Sequence, residues 1–490
     1  MPSDKQNILL IFTDQNRADM LSCYNPGSIC RTPHLDAMVE QSVVFKQAYT
    51  VCSVCSPARA SLQTGLYPHS HGVETNIYNR GCMIHELPDT DYLLSRRLGQ
   101  ADHSAGYTGK WHLGEGGAPA FEGSGGLRPL YAPQHNAVPT NLGYEGDDFP
   151  GHGGGGYKYP QYQAYLKANG LTFDVDGRNT ADGGVPGIGE VTSPLESTNE
   201  YYLVNRAIDT IDDFRQRDQP FCFQLHFWGP HEPYLAPTEF LDLYRDVEIP
   251  PWPNFSDTGE TKSSFQERSR HRDKPWSYWE NSLRHYYGFM SSIDAQIGRL
   301  VAYLKEHDLY DTTTIIFSAD HGDSQGCHGG LGDKSYHMYE ETMRIPLIIK
   351  PARAESSRID VSEFVNTCDI YASILDLAGL PHEQFQHGRS LMPFVDGQAP
   401  DDWPQFLVSE GLSASHSLCS HRMIRQGHWK YVFFAAGTDE LYDLKEDPWE
   451  LTNLIDSPEH KPMLKELQAM LLQWMVESND LLRIDYARLI

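Results

Sequence analysis

Short apolar runs alternate with amphipathic segments over most of this chain. The apolar runs predict strands, and the segments with apolar residues three and four apart predict helices. The predicted strands are residues 7–13, Val43 to Ala48, Phe221 to Phe227, Thr313 to Phe317 and Pro346 to Ile349. The predicted helices are Pro33 to Glu40, Tyr92 to Leu98, Tyr286 to Leu304 and Phe364 to Leu377. This alternation predicts an α/β fold with a large mixed, mostly parallel sheet flanked by helices.

The pattern changes near Pro400. Four short alternating runs followed by one amphipathic segment predict an antiparallel sheet with a helix laid across it. They are Phe406 to Ser409, His421 to Arg425, Lys430 to Phe434, Glu440 to Asp443 and the helix Met463 to Met475. We therefore expect a large domain of residues 1–397 and a smaller C-terminal α+β subdomain of residues 398–490.

Two polar segments interrupt the alternation. Residues 114–189 are rich in Gly, Pro, Tyr and Asp, and residues 250–274 carry Pro, Ser and a basic cluster. Both predict loops with little regular structure. The loops are either solvated or form the walls of a pocket.

Two polar pairs, Asp14-Gln15 and Asp320-His321, directly follow predicted strands. Ligands of such sheets bind at the carboxyl ends of the strands, so the two pairs can meet there. Three oxygen-bearing side chains and one imidazole suit a divalent cation. The alternative for each pair taken alone is a helix cap after a strand.

The chain of 490 residues carries a formal net charge of −27, which argues against nucleic acid and anionic membranes as partners. The apolar run Asn7 to Thr13 is too short for the core of a signal peptide, and no stretch is long enough to span a bilayer. The sequence therefore predicts a cytoplasmic protein.

The nine cysteines do not have the spacing of a disulfide framework. Cys52 and Cys55 form a Cys-x-x-Cys pair, which alone suggests redox chemistry or zinc, but no second pair completes a zinc site. The run Cys55-Ser56-Pro57-Ala58-Arg59 predicts the start of a helix, capped by Ser56 and stopped by Gly65. Cys55 then lies at a helix N-terminus, where negative charge is favoured, and Arg59 lies one turn further on the same face.

This run, with Thr64-Gly65 after it, resembles the signature of type I sulfatases, which belong to the alkaline phosphatase superfamily. Similar blocks cover nearly the whole chain: Gly106 to Gly114, Gly229 to Tyr234, Ser318 to Lys334, and Glu440 to Asp443. The resemblance implies an alkaline phosphatase-like catalytic domain and an arylsulfatase-like hydrolase of sulfate monoesters. It implies that a formylglycine-generating enzyme converts Cys55 to formylglycine (3-oxoalanine), whose hydrated form is the nucleophile. The expected substrate is a small-molecule or saccharide sulfate ester, and a homo-oligomer is left open.

The resemblance also implies roles for individual residues. The metal ligands would be Asp14, Gln15, the modified Cys55, Asp320 and His321, and the catalytic residues would be Cys55, Arg59, Lys110, His112, His231 and Lys334. Asn76, Lys110, His231 and Lys334 would contact the substrate. Many sulfatases have an acid in place of Gln15 and an Asn in place of His321. Ca²⁺ is therefore the first expectation, and Mn²⁺ the alternative.

Two other functions stay open at this point. The Gln15 and His321 pair resembles that of choline sulfatases and phosphonate monoester hydrolases, so a phosphonate monoester or phosphodiester hydrolase is the alternative enzyme. Lys110 and His112 resemble the sulfatase block instead. A noncatalytic binding protein on the same scaffold is the third hypothesis, although binding alone would not require a convertible cysteine.

Overall fold

A computed structural model of the chain describes residues 6–77, 79, 82, 84–114, 136–178, 187–217, 219–334, 337–352, 357–413 and 419–490. The strands are β1 Asn7–Thr13, β2 Val43–Tyr49, β3 Ser104–Gly109, β4 Glu145–Gly146, β5 Val175–Asp176, β6 Ile188–Val191, β7 Phe221–His226, β8 Tyr234–Pro237, β9 Thr313–Ala319, β10 Leu347–Lys350, β11 Ile359–Asn366, β12 Phe406–Ser413, β13 Cys419–Gln426, β14 Trp429–Phe434 and β15 Glu440–Asp443.

The helices are α1 Pro33–Val39, α2 Cys55–Thr64, α3 Pro68–His71, α4 Leu94–Gln100, α5 Pro160–Asn169, α6 Asn199–Arg215, α7 Thr238–Leu241, α8 Trp276–Glu306, α9 Cys327–Gly330, α10 Glu340–Met343, α11 Thr367–Leu377, α12 Met392–Val395, α13 Lys461–Glu477 and α14 Arg483–Leu489. Within the described ranges, none of these helices combines the length and the apolar character that crossing a membrane requires.

The large sheet has eight strands in the order β11-β2-β10-β9-β1-β7-β3-β4. Strand β1 lies inside it and pairs in parallel with β7 and β9, while β10 is antiparallel to β2 and β9. The predicted mixed, mostly parallel sheet is therefore confirmed. The carboxyl ends of β1, β3, β7 and β9 all meet at one edge.

The sheet buries a core on each face. Successive residues of β1 point to opposite faces, so Leu9 and Ile11 join one cluster, whereas Ile8 and Leu10 join the other. The first cluster includes apolar residues of α1, α6 and α8, and the second includes those of α2, α4 and α11. Helix α2 is thus packed against the large sheet through its apolar residues.

The C-terminal strands form a separate antiparallel sheet in the order β12-β13-β14-β15. One face packs against Leu467, Leu471 and Met475 of α13. The other face packs against Tyr49 and Met343 of the large unit. The predicted antiparallel sheet and helix are confirmed, while the domain boundary between residues 397 and 398 stays a prediction.

Several predicted element boundaries are wrong. Helix α8 begins at Trp276 instead of Tyr286, and α11 begins at Thr367 because β11 occupies Ile359–Asn366. Strand β11 was missed because its register shifts between Val361 and Phe364, and this irregularity breaks the alternating pattern.

The two polar segments contain more order than predicted. Helix α5 lies within residues 114–189, of which residues 115–135 and 179–186 fall outside the described residues. In the second segment, Lys262 and Arg270 are buried and not solvated. Arg270 donates to the backbone oxygen of His328 in the large unit, and Lys262 donates to the backbone oxygen of Glu450 in the C-terminal part. This segment therefore contacts both parts of the chain.

Candidate active site

Polar side chains gather at the edge of the sheet where the parallel strands end. Asp14 follows β1, Lys110 follows β3, Asp320 follows β9, and His226 is the last residue of β7. All four are buried. This placement agrees with the rule that ligands of such sheets bind beyond the carboxyl ends of the strands.

Cys55 is the first residue of α2 and is fully buried. Gly65 ends the helix in the left-handed conformation, with φ of 69°, as predicted. The predicted cap by Ser56 is wrong, because the Ser56 hydroxyl donates to the backbone oxygen of His112 at 2.7 Å. The side-chain oxygen of Asn76 instead accepts the backbone N–H of Ser56 at 2.9 Å. Asn76 therefore satisfies a donor that the helix start leaves open.

Replacing Asn76 by alanine is expected to lower the free energy of unfolding by about 1 kcal/mol, because the Ser56 N–H then loses its acceptor. Asn76→Asp keeps an acceptor oxygen and should retain most of that stability. Urea unfolding of both variants measures the difference. Equal stability of the two variants would contradict the capping role.

Four buried residues bring metal-ligating atoms together: Asp14, Cys55, Asp320 and His321 each offer one atom, and these atoms lie within 4.8 Å of one another. The Cys55 sulfur is 3.2 Å from Nε2 of His321 and 3.9 Å from Oδ1 of Asp14. Nδ1 of His321 lies 2.9 Å from the backbone oxygen of Gly322, to which it donates. When neutral, His321 therefore presents the Nε2 lone pair to the cluster, as a metal ligand requires. Burial acts to lower the pKa of His321, but Asp320 and Cys55 raise it above its ordinary value.

Arg59 holds the two acids of this cluster together. Its Nη2 lies 2.8 Å from Asp14 and 3.0 Å from Asp320, and all three side chains are at most 1% exposed. Its Nη1 lies 3.0 Å from Nδ1 of His226. Burial acts to lower the pKa of Arg59, but Asp320 and Asp14 raise it above its ordinary value. The guanidinium is a fixed charge that sets the spacing of the two carboxylates.

Lys110 is the second buried cation at the centre. Its ammonium pairs with Asp14 and lies 3.6 Å from the Cys55 sulfur. Burial and Asp14 act to raise the pKa of the Cys55 thiol, yet Lys110, Lys334 and His321 bring that pKa below its ordinary value. The surroundings of Cys55 therefore favour negative charge on the atom at that position.

Gln15 adopts a left-handed backbone conformation, with φ of 61°. Its side-chain oxygen accepts a hydrogen bond from the Lys334 ammonium, and its nitrogen donates to Asp323 at 2.7 Å. The structure thus places Gln15 beside the centre, with its side-chain oxygen hydrogen-bonded to Lys334. Lys334 in turn lies 2.9 Å from Nε2 of His231.

Three histidine rings line one side of the site. The His112 and His152 rings have centroids 4.9 Å apart, and those of His152 and His231 are 5.0 Å apart. Burial, helped by neighbouring positive groups, holds the pKa of each ring well below the ordinary value. All three are therefore neutral near pH 7, and Nδ1 of His112 has no hydrogen-bond partner among the described residues.

Sequence reasoning missed His152 and His226. His152 lies in the glycine-rich segment, where no periodic pattern marks it. His226 could have been found from the sequence, because it is the last residue of an apolar strand. Asp14 and Asp320 directly follow such strands in the same way.

The family model described as Sulfatase matches residues 6–380, and a model described as N-sulphoglucosamine sulphohydrolase, C-terminal, matches residues 326–477. The chain is 28% identical to the multifunctional alkaline phosphatase superfamily protein PehA of Trinickia caryophylli, with 97% of this chain and 96% of that protein covered. It is 28% identical to the choline-sulfatase of Rhizobium meliloti, with 94% and 84% covered.

Solved structures show the same fold. The phosphonate monoester hydrolase from Silicibacter pomeroyi superimposes with a TM-score of 0.77 at 23% identity, covering 97% of this chain and 96% of that chain. A protein solved in complex with its substrate D-glucosamine-2-N,6-O-disulfate has a TM-score of 0.74 at 21% identity, with 97% and 99% covered.

Proposed function

We propose a mechanism for this chain, which belongs to the sulfatase family and is a sulfuric ester hydrolase. The proposal assigns the residues that carry the reaction. The observation that carries the proposal is the buried cluster of Asp14, Cys55, Asp320 and His321, braced by Arg59. A convertible cysteine among metal-ligating atoms at a helix start serves bond cleavage better than simple binding. The relatives named as enzymes also favour catalysis over the binding-protein hypothesis.

The residues of the cluster fit one divalent cation and a formylglycine at position 55. Asp14, Asp320, His321 and the Gln15 oxygen would hold the cation together with residue 55. The donors are mostly hard oxygens, so Ca²⁺ is our first choice, and the imidazole makes Mn²⁺ the alternative. The hydrated formylglycine would supply a geminal diol, one hydroxyl of which attacks sulfur. The cation would supply positive charge beside the developing negative charge.

The chain's own residues would hold the sulfate and move the protons. Lys110 and Lys334 are buried beside the centre, where their ammonium groups would bind sulfuryl oxygens. Residue 55, once converted, would supply the attacking oxygen, and the alcohol oxygen that leaves sulfur would need a proton. Burial and Lys334 keep His231 neutral by holding its pKa well below the ordinary value. Burial acts to lower the pKa of Lys334, but Asp333 and Cys55 raise it above its ordinary value, so Lys334 is the protonated member of this hydrogen-bonded pair. His231 or Lys334 would deliver the proton to the leaving oxygen.

His112 would complete the cycle. Burial, with His152 and Lys110 beside it, holds the pKa of His112 well below its ordinary value, so the ring is free to accept a proton. It would take the proton of the second hydroxyl that a hydrated formylglycine supplies, and this transfer would favour release of sulfate and return of the aldehyde. The unpartnered Nδ1 of His112 is consistent with this role.

The substrate that we propose is a sulfate ester of a small molecule or a saccharide. One structural neighbour was solved with a glucosamine disulfate as its substrate, and one relative is a choline-sulfatase. A formylglycine-generating enzyme is the proposed maturation partner. The cytoplasmic location stays a prediction, and the oligomeric state stays open.

The test of this function is release of inorganic sulfate from aryl and saccharide sulfates by protein coexpressed with a formylglycine-generating enzyme. Chelation should abolish the release, and Ca²⁺ or Mn²⁺ should restore it. Conversion of Cys55 is checked in parallel by the mass of its peptide. A fully converted, metal-loaded protein that releases no sulfate from any ester would overturn the proposal.

Phosphonate monoester hydrolysis is the second candidate, favoured by the Gln15 and His321 pair and by the phosphonate monoester hydrolase among the structural neighbours. We expect a larger kcat/KM for aryl sulfates than for aryl phosphonates, because Lys110 and His112 would fill the space that a phosphonate substituent needs. Lys110→Ala should lower kcat/KM for sulfates by about 10²-fold, and that for phosphonates by less. Steady-state kinetics on matched aryl esters measures both. If the wild-type enzyme prefers phosphonates, the second candidate replaces the first.

A further inference from the structure

The Gln15 amide is held in one orientation. Its nitrogen donates to Oδ2 of Asp323 at 2.7 Å and to Oδ1 of Asp333 at 3.3 Å, whereas its oxygen accepts from the Lys334 ammonium. Exchanging the amide oxygen and nitrogen would set an acceptor against two carboxylates and a donor against an ammonium. The network therefore fixes the amide oxygen toward Lys334 and the amide nitrogen toward the two carboxylates.

Asp323 is itself held rigidly. Its Oδ2 accepts from the Tyr234 hydroxyl and from the side-chain nitrogen of Gln325 at 3.0 Å. Its Oδ1 accepts the backbone N–H of Gln325 at 3.2 Å. Asp323, Tyr234 and Gln325 are each at most 1% exposed, so this carboxylate can neither turn away nor be reached by solvent.

Asp333 is the weaker of the two acceptors. Its contact with Gln15 is longer, its side chain is 38% exposed, and it also pairs with Lys334 at 3.1 Å. Solvent can take over its hydrogen bonds, which is not true of Asp323. The orientation of Gln15 therefore depends mainly on Asp323.

We infer that Asp323 is a positioning residue that requires an amide at position 15 and turns the amide oxygen toward the metal centre. The inference rests on the proposed function, in which that oxygen is a metal ligand. A carboxylate at position 15 would place its second oxygen against the buried Asp323, where like charges repel and neither can be solvated. The acid on this side of the centre is thus Asp323, one side chain behind Gln15.

Exchanging the amide and the acid tests this arrangement. The variants are Gln15→Glu, Asp323→Asn and the double variant, with Asp333→Asn as the matched control. Two quantities are measured on each: the dissociation constant for Ca²⁺ and for Mn²⁺ by calorimetry, and the midpoint of thermal unfolding in chelator. Asp323→Asn should weaken cation binding by about 10- to 100-fold, as is usual when a residue that orients a ligand is removed.

The double variant provides the decisive comparison. Gln15→Glu alone should lower the unfolding midpoint in chelator, and adding Asp323→Asn should restore it, because the amide introduced at position 323 can donate to the carboxylate introduced at position 15. Cation binding by the double variant should then be tighter than that of Asp323→Asn, and Asp333→Asn should change it by less than about threefold, since its carboxylate is partly solvated.

Strictly additive effects of the two substitutions, or an Asp323→Asn variant that behaves like Asp333→Asn, would overturn the inference. If the wild-type protein binds no divalent cation, the metal proposal fails instead. The unfolding midpoints in chelator then still decide whether Asp323 and Gln15 are coupled.

Discussion

Cys55→Ala is expected to abolish sulfate release, with kcat falling by roughly 10⁴- to 10⁶-fold, as for removal of nucleophiles in other covalent enzymes. The substitution removes the side chain that becomes the aldehyde in the proposed mechanism. The fold should survive, because the substitution removes a single sulfur atom, which contacts His321, Asp14 and Lys110. Initial rates with an aryl sulfate and the thermal unfolding midpoint measure both effects.

Cys52→Ala is the matched control. Cys52 is also fully buried and lies three residues earlier, but its sulfur is not among the ligand atoms of the centre. This variant should keep its activity and its converted Cys55 peptide. Full activity of wild-type protein whose Cys55 peptide retains the mass of a free thiol would contradict the proposed nucleophile.

Arg59→Gln is expected to have the largest effect on stability, lowering the free energy of unfolding by about 3–5 kcal/mol. The substitution leaves Asp14 and Asp320 buried without the cation that pairs with both. Two adjacent buried carboxylates repel each other, so the loss should be greatest in chelator and smaller with saturating Ca²⁺. Denaturant unfolding under the two conditions measures this difference.

Arg59→Lys separates charge from geometry. The lysine keeps a positive charge but cannot reach Asp14, Asp320 and His226 at once, since it lacks the planar fork of arginine. Its stability should lie between those of the wild type and Arg59→Gln. A Gln variant that is equally stable with and without Ca²⁺ would show that Asp14 and Asp320 do not share a cation site.

The edge of the sheet that holds the site could be predicted from the polar residues that directly follow strands. Parallel strands end at one edge, so Asp14 and Asp320 could be placed together although 306 positions separate them in the chain. The blocks around Lys110 and His231 were assigned by resemblance alone, because a single lysine is usually a solvated surface residue and a single histidine is usually a turn or core residue. Whether each residue has its predicted role stays a prediction, although the structure brings all of them to one region.

What the sequence could not show is which partner each polar group finds. Ser56 has the residue type of a helix cap, but its hydroxyl donates to the backbone oxygen of His112. The acceptor at the helix start is Asn76, which comes from a separate loop. Asp323 has no recognisable pattern, since its contacts with Gln15 and Tyr234 span 308 and 89 positions. Such contacts depend on the packed fold and not on local spacing.

The complete burial of Cys55 sets a time limit on its maturation. Once β9 has joined the sheet, Asp320 and His321 close over the sulfur, and no second enzyme can reach it. On the proposed maturation, Cys55 must therefore be oxidised while the chain is still incomplete or unfolded. His321 follows Cys55 by 266 positions, which at about 5–20 residues per second of synthesis leaves roughly 13 to 53 s. Cells that make the chain faster than they convert it would accumulate folded, permanently inactive thiol protein.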